Sequence, residues 1–294
     1  MRTVRLKETF QKCTPQLFHR DDVLALKMNQ WKTQGRVTFF DTACRLINPL
    51  SGLAETVHVA LVFFKMYEIF CEDEKLFADL PAKLGTVVVG DEQSGLQVCR
   101  KYFGKDRIQQ QQQQQRAPVH LVIINSFDSV DLTWNTVAGI LDRLSAGGAL
   151  IVCLGELYHS HAQVLIWVLY QVFREVHICK PKVSNVFDNE KFAVCHGFQP
   201  EKKMDLSDWG KILEMCPLPW FSYIAETERV FQQDQEIAQR RAERLTKLLV
   251  FHKPFANRHA LNKMTNLCLM GANKQKYCLN YLETLGLSAL HATT

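Results

Sequence analysis

The chain has 294 residues, enough for one large domain or for a core domain with an appendage. Hydrophobic residues make up 47% and charged residues 22%, and no apolar run reaches the ~18 residues of a membrane span, so the composition is that of a globular protein. The formal net charge of +5 is mild; it permits an acidic partner such as RNA without demanding one. The ten cysteines form no CxxC pair and no His/Cys cluster at zinc spacing. Cys153, Cys179 and Cys195 sit inside apolar runs, so they read as reduced, buried thiols of an intracellular protein, nuclear or cytoplasmic. The basic start MRTVRLKETFQK leads into no apolar signal core, and secretion is not expected.

In chain order, residues 21–33 (DDVLALKMNQWKT) predict a helix with an acidic start, and 37–43 (VTFFDTA) a strand. Residues 53–72 have helical periodicity, and its longest apolar run is interrupted by Lys65 and Glu68. GTVVVGD (85–91) is β-branched and bounded by glycines, which predicts a buried strand; HLVIIN (120–125) predicts another. Between them lies a run of seven glutamines, 109–115, read as a solvated insertion loop outside the core. Residues 129–144 predict a helix ended by Gly147 and Gly148, ALIVCLG (149–155) a strand, and 160–173 a helix. EVHICK (175–180) and KFAVCHGF (191–198) predict two strands whose short connection leaves no room for a helical crossover, so they pair antiparallel. Beyond residue 205 only helical stretches follow, at 226–252 and 272–285. The expected architecture is α/β: an open, mostly parallel sheet covered on both faces and closed by an antiparallel hairpin over 1–205, then a helical C-terminal extension over 206–294.

In such sheets ligands bind at the carboxyl ends of the strands. Asp41 closes the first predicted strand and is followed by a turn carrying Pro49 and Gly52; Asp91 closes the next. KPKVSNVFDNEKFAVCHGF (180–198) begins as a surface loop with Lys180 and Lys182 and ends as a buried strand headed by Glu190. The helix QRRAERLTK carries Arg240, Arg241 and Arg244; a solvated amphipathic face and an RNA- or protein-binding face explain it equally well. Among His19, His58, His120, His159 and His161 no pair has metal-binding spacing, and no metal is assigned.

Taken together, these segments resemble the FtsJ-like family of S-adenosylmethionine-dependent RNA ribose 2′-O-methyltransferases, most of all its cap-specific branch. LALKMN is similar to the family's N-terminal helix motif, VTFFDTA…NPLSGLAE to its cofactor loop, HLVIINSF and GGALIVCL to two catalytic strands, and 180–198 to its closing hairpin, which is the most specific match. The two helical stretches at the end are similar to the tail of the cap enzymes. The resemblance implies a Rossmann-like methyltransferase fold, with Asp41, Pro49, Gly52 and Asp91 at the cofactor. It also implies that Lys180, Lys182 and Ser184 meet RNA phosphates, which position the strand without reading sequence. The family's catalytic Lys-Asp-Lys-Glu set falls on Lys27, Asn125, Cys153 and Glu190.

Two of those four positions are substituted. Asn125 lacks the aspartate's charge, and the Cys153 thiol cannot replace an ammonium beside a ribose hydroxyl. Sets of this kind act as units, and one missing member removes most of the activity. The cofactor turn keeps a single glycine, Gly52, among the bulky Leu46, Ile47 and Leu50. Read singly, Lys27 is a helix-surface lysine, Glu190 a strand-start glutamate and Cys153 a buried apolar residue. Read together, they predict a catalytically inactive homologue, a pseudoenzyme that binds RNA, capped mRNA included, or serves a protein partner as scaffold, with weak or absent S-adenosylmethionine binding. The alternative is an active RNA (cap) 2′-O-methyltransferase using S-adenosylmethionine through altered residues.

Overall fold

The computed structural model describes residues 1–10, 50, 53, 59–72, 74–111, 118–125, 130–185, 187, 189–251 and 272–287. The helix expected at 21–33 and the strand expected at 37–43 lie outside them. The chain forms two compact units. The first comprises Met1–Phe18, Val62–Pro181 and Asn189–Arg229; the second comprises His19–Leu61, Lys182–Asp188 and Val230–Thr294.

The first unit is built on a seven-stranded sheet: β1 (Arg2–Arg5), β2 (Leu84–Val89), β3 (Ile108–Gln110), β4 (Val119–Ile124), β5 (Leu144–Leu154), β6 (Phe173–Lys180) and β7 (Lys191–Phe198), in the order β1-β6-β7-β5-β4-β2-β3. Strands β3, β2, β4 and β5 are parallel neighbours; β7 runs antiparallel to β5 and β6, and β1 antiparallel to β6. Five strands therefore share one direction, and the fold is a mostly parallel α/β sheet with a closing hairpin. β2, β4 and β5 are rich in Val, Ile and Leu and buried on both faces, which is why they read as continuous apolar runs rather than alternating ones.

Three elements depart from expectation. β5 starts at Leu144, before Gly147 and Gly148, while the preceding helix α5 (Val130–Leu141) has already ended. Pairing to β4 jumps from Val119↔Leu144 to Leu121↔Ala149, so the two glycines lie in a bulge, with Gly147 at φ +75°, and do not cap a helix. The edge strand β1 went unread because RTVR is too short and too charged to show a period. The glutamine run does not begin as a loop: Gln109 and Gln110 belong to β3, paired to Gly85 and Thr86, because the parallel ladder of β2 offers main-chain partners whatever the side chain.

Helices α1 (Leu6–Phe10), α2 (Leu61–Glu72), α3 (Glu74–Phe77), α4 (Glu92–Phe103), α5, α6 (Ser160–Val172) and α7 (Trp209–Met215), with the start of α8 (Leu218–Phe251), complete the described part of this unit. The chain past residue 205 stays with the sheet unit as far as Arg229. Its anchor is Trp220, fully buried, whose indole Nε1 donates to the Gln163 carbonyl at 2.9 Å and whose ring meets Phe10, Trp167, Tyr170 and Tyr223.

In the second unit, Leu50 and Leu53 are fully buried and closed into a turn by the Leu53 N–H to Leu50 carbonyl bond of 3.0 Å. Helix α9 (Ala272–Thr284) ends at Gly286, whose φ of +65° lets the Leu287 N–H return to the Leu282 carbonyl at 2.8 Å.

Candidate functional site

Two clusters of polar side chains form where β5 ends and β7 begins. Side chains alternate across a strand, and the register pairs Cys153 with Phe192 and Leu154 with Lys191. Glu190 and Cys153 therefore share one face, and Lys191 takes the other.

On the first face the Cys153 thiol lies 3.9 Å from Glu190 Oε1, while Lys65, from α2, places Nζ 2.6 Å from Glu190 Oε2. Burial pushes the Cys153 thiol well above its ordinary range and the Glu190 charge adds to the rise, with Lys65 opposing it. The thiol thus stays protonated and donates weakly to the carboxylate. Lys65 was not assigned a role from sequence. The signal was present, however: it is a cation interrupting the run LVFFKMYEIF, whose neighbours Phe63, Phe64 and Met66 are buried.

On the second face Lys191 and Glu228 form an ion pair of 2.8 Å with both side chains removed from water. Lys191 also donates to the Asn189 carbonyl at 3.2 Å, and Glu228 accepts the Leu157 N–H at 3.2 Å. The Asn189 amide donates to Glu156, which faces His159 at 3.6 Å. These contacts fix the ends of β5 and β7 to α8.

At the carboxyl ends of β2 and β4 the structure makes a third arrangement. Asn125 continues the ladder, its N–H bonded to the Val89 carbonyl at 3.0 Å. Its Oδ1 accepts the Asp91 N–H at 2.8 Å and its Nδ2 donates to the Asp91 carbonyl at 2.8 Å. Asp91 in turn caps α4, accepting the Ser94 N–H at 3.0 Å. Gly95 is needed for the close approach of α4 to β2: a Cβ there would fall 2.6 Å from Val88 Cγ1.

Of the positions singled out by sequence, Lys27, Asp41, Pro49 and Gly52 lie outside the described residues. Glu190 and Cys153 are brought together. Asn125 is bound to the Asp91 backbone. Lys180 is half-buried at the end of β6. In the second unit Lys182 is exposed and Ser184 buried, and Arg240 and Arg241 are exposed on α8, which also carries Arg244.

An S-adenosylmethionine site of the kind the sequence resemblance implies needs a glycine-permitted backbone approach and a carboxylate directed at a ribose. Among the described residues the fit is poor. Asp91 caps its own helix, Asn125 is tied through both ends of its amide to the Asp91 main chain, and Gly95 is filled by helix-on-strand packing. Among the described residues no group of three or more His, Cys, Asp or Glu is placed to hold a metal ion, and no helix is long and apolar enough to cross a membrane.

No protein-family model matches the chain. A stretch of 82 residues is 32% identical to the AdoMet-dependent rRNA methyltransferase SPB1 of Candida albicans, covering 28% of this chain and 9% of that protein. A stretch of 96 residues is 30% identical to the protein of the same name from Debaryomyces hansenii, covering 32% of this chain and 11% of that one. The chain therefore spans about a tenth of the length of the curated relatives it matches. Among solved structures, one described as an rRNA methylase from Streptococcus thermophilus aligns with 45% of this chain and 97% of its own, at 14% identity and a TM-score of 0.30. Part of the chain is thus similar in sequence to AdoMet-dependent rRNA methyltransferases, and its sheet is a mostly parallel α/β sheet.

Proposed function

We propose that the chain is a non-catalytic homologue of the FtsJ-like RNA ribose 2′-O-methyltransferases, a pseudoenzyme that binds RNA or serves a protein partner within the cell. The observation that carries this reading is the two-point bond of the Asn125 amide to the Asp91 main chain. An aspartate at that position could accept from the Asp91 N–H but not donate to its carbonyl, so the substitution is fitted to a structural role. The protonated Cys153 thiol, where the family's set has an ammonium, supports the same reading.

RNA binding rests on the cations Lys180, Lys182, Arg240, Arg241 and Arg244, since the hydroxyl of Ser184 is buried. The relatives are named for ribosomal RNA, whereas the sequence pattern resembles cap enzymes, so both uncapped structured RNA and capped RNA are to be offered. The test is calorimetry with S-adenosylmethionine and RNA titration in parallel. The expected result is no cofactor binding at millimolar ligand, with RNA affinity that falls on charge reversal at the five cations. Micromolar cofactor binding would overturn the non-catalytic reading, and unchanged affinity after charge reversal would overturn the RNA-binding one.

One observation favours the alternative, an active S-adenosylmethionine-dependent enzyme with altered residues. Lys65 delivers from α2 an ammonium to the Glu190 carboxylate that Cys153 also faces. Under that reading the purified chain methylates RNA, and Lys65→Ala and Glu190→Ala each abolish transfer.

A further inference from the structure

Two lysine–glutamate pairs lie where β5 ends and β7 begins, and they differ in how completely they are served. Lys191 and Glu228 are sealed from water, with side chains 0% and 1% exposed. Each also has a further partner, the Asn189 carbonyl for the ammonium and the Leu157 N–H for the carboxylate. Lys65 and Glu190 keep 14% and 21% of their side chains open to solvent. Among the described residues Lys65 has one polar partner, the Glu190 carboxylate, so it uses one of its three donors. A shielded ammonium whose remaining donors meet no acceptor is unfavourable, and a ligand that brings one relieves it.

The pair stands at the carboxyl end of β5, the side on which sheets of this kind take ligands. Its stem is fixed, because Phe63, Phe64 and Met66 of the same helix are buried. Cys153 makes a further wall: its thiol lies 3.9 Å from Glu190 Oε1 and, being protonated, adds no charge. The opening thus offers one cation and one anion, bonded to each other at 2.6 Å. A phosphate is attracted by Lys65 and repelled by Glu190, and an ammonium meets the reverse. A hydroxyl suits both, since it accepts from Nζ and donates to the carboxylate. On a nucleic acid that group is the ribose 2′-hydroxyl, which RNA has and DNA lacks.

From this we infer that Lys65 and Glu190 hold a ribose hydroxyl, and that Lys65 is the residue by which the chain prefers RNA to DNA. The inference rests on the RNA-binding reading above and adds a sugar-specific contact to it. The cations on which that reading stands meet phosphates, which both nucleic acids carry. The contact is one of recognition only: the hydroxyl proton stays on the ribose, and no bond is made or broken. A site built to bond a hydroxyl discriminates against an analogue that lacks it, because its own shielded groups are then left unserved.

The test is fluorescence anisotropy on the full chain at one salt concentration, with three labelled single strands of the same sequence: RNA, DNA and 2′-O-methyl RNA. The expected result is RNA bound roughly tenfold or more tightly than DNA, as for one hydroxyl bonded between charged groups. The 2′-O-methyl strand has no hydroxyl proton for Glu190 and should fall toward DNA. Lys65→Met and Glu190→Gln should each lower the RNA-to-DNA ratio while affinity for DNA stays the same. Lys65→Met combined with Glu190→Leu should bring that ratio to about one; it removes both charges together, so it keeps the test open where a single variant loses its circular dichroism signal. Equal affinity of the parent chain for RNA and DNA overturns the inference and leaves nucleic-acid binding standing. A ratio unchanged in the double variant also overturns it, and assigns the preference to other residues. No affinity for any strand removes the RNA-binding reading itself, and this inference with it.

Discussion

The Lys65 ammonium lies 2.6 Å from the Glu190 carboxylate, with both side chains largely shielded from water. Helix α2 and the head of β7 are thereby joined through charge. Removing either partner takes from the other, in a largely shielded place, its opposite charge. Lys65→Met and Glu190→Gln are each expected to lower stability by about 1–2 kcal/mol. The double variant should lose less than the sum, with a coupling of about 1 kcal/mol read from urea midpoints. Strict additivity would mean that the pair contributes nothing to the fold.

Asn125→Asp tests the Asn125–Asp91 bonds directly. The carboxylate can still accept from the Asp91 N–H, but its second oxygen meets the Asp91 carbonyl that Nδ2 now serves. A loss of about 1–3 kcal/mol at neutral pH is expected. The new carboxyl is held above its ordinary value in the folded state, since only its protonated form can donate to that carbonyl. Its penalty is therefore absent below the unfolded carboxyl pKa and grows as pH rises through the folded one. Chemical denaturation of the variant and the parent, compared at pH 7 and near pH 4, reads this as a gap that narrows on acidification.

How far the fold was legible follows from which interactions are local. β4, β7 and α6 appeared within a residue or two of their observed bounds because burial writes them as apolar runs of definite length. The bulge at Gly147 and Gly148 was misread because glycine marks helix ends and bulges alike, and only the β4 register separates them. β3 was misread because glutamine has no strand signal of its own; the neighbouring ladder recruits it. In the site, Glu190 was singled out from the hairpin and Cys153 from the strand GGALIVCL, and the two side chains lie side by side. Lys65 stood out only as a cation within an apolar run, and its partner did not, because no local rule joins residue 65 to residue 190. Nor did the Lys191–Glu228 pair, since a lysine opening a buried strand looks the same whether or not a helix supplies a carboxylate.

That pair makes a sharper prediction. Glu228 is bonded to Lys191 and to the Leu157 N–H, and neither charge of the pair reaches water. Glu228→Ala leaves a buried ammonium and an unpaired N–H together, and a loss of about 3–5 kcal/mol is expected. Lys191→Met combined with Glu228→Leu removes both charges, takes one partner each from two neutral groups, the Leu157 N–H and the Asn189 carbonyl, and should be milder than Glu228→Ala alone. Guanidinium denaturation of the three chains decides the order. A double variant as unstable as Glu228→Ala would show that packing, not the charge left behind, sets the cost.

Two histidines should make the sheet acid-labile. His120 accepts the Gly85 N–H on Nδ1 at 3.1 Å, a bond between β4 and β2 that exists only while that nitrogen is unprotonated. Burial holds its pKa below the ordinary histidine value. His196, in β7, is also held low, by burial first and then by Arg174, with Glu175 and Asp79 opposing. In the unfolded chain both titrate near about 6.5. Between that value and the lower folded ones the unfolded state binds more protons, so stability is full above about 6.5 and is lost as pH falls toward the folded pKa values. Urea midpoints should therefore drop between pH 7.5 and pH 5.5. His120→Gln supplies an uncharged acceptor for the Gly85 N–H, and combined with His196→Gln it should flatten that slope. A slope unchanged in the double variant would assign the acid sensitivity to groups other than these two.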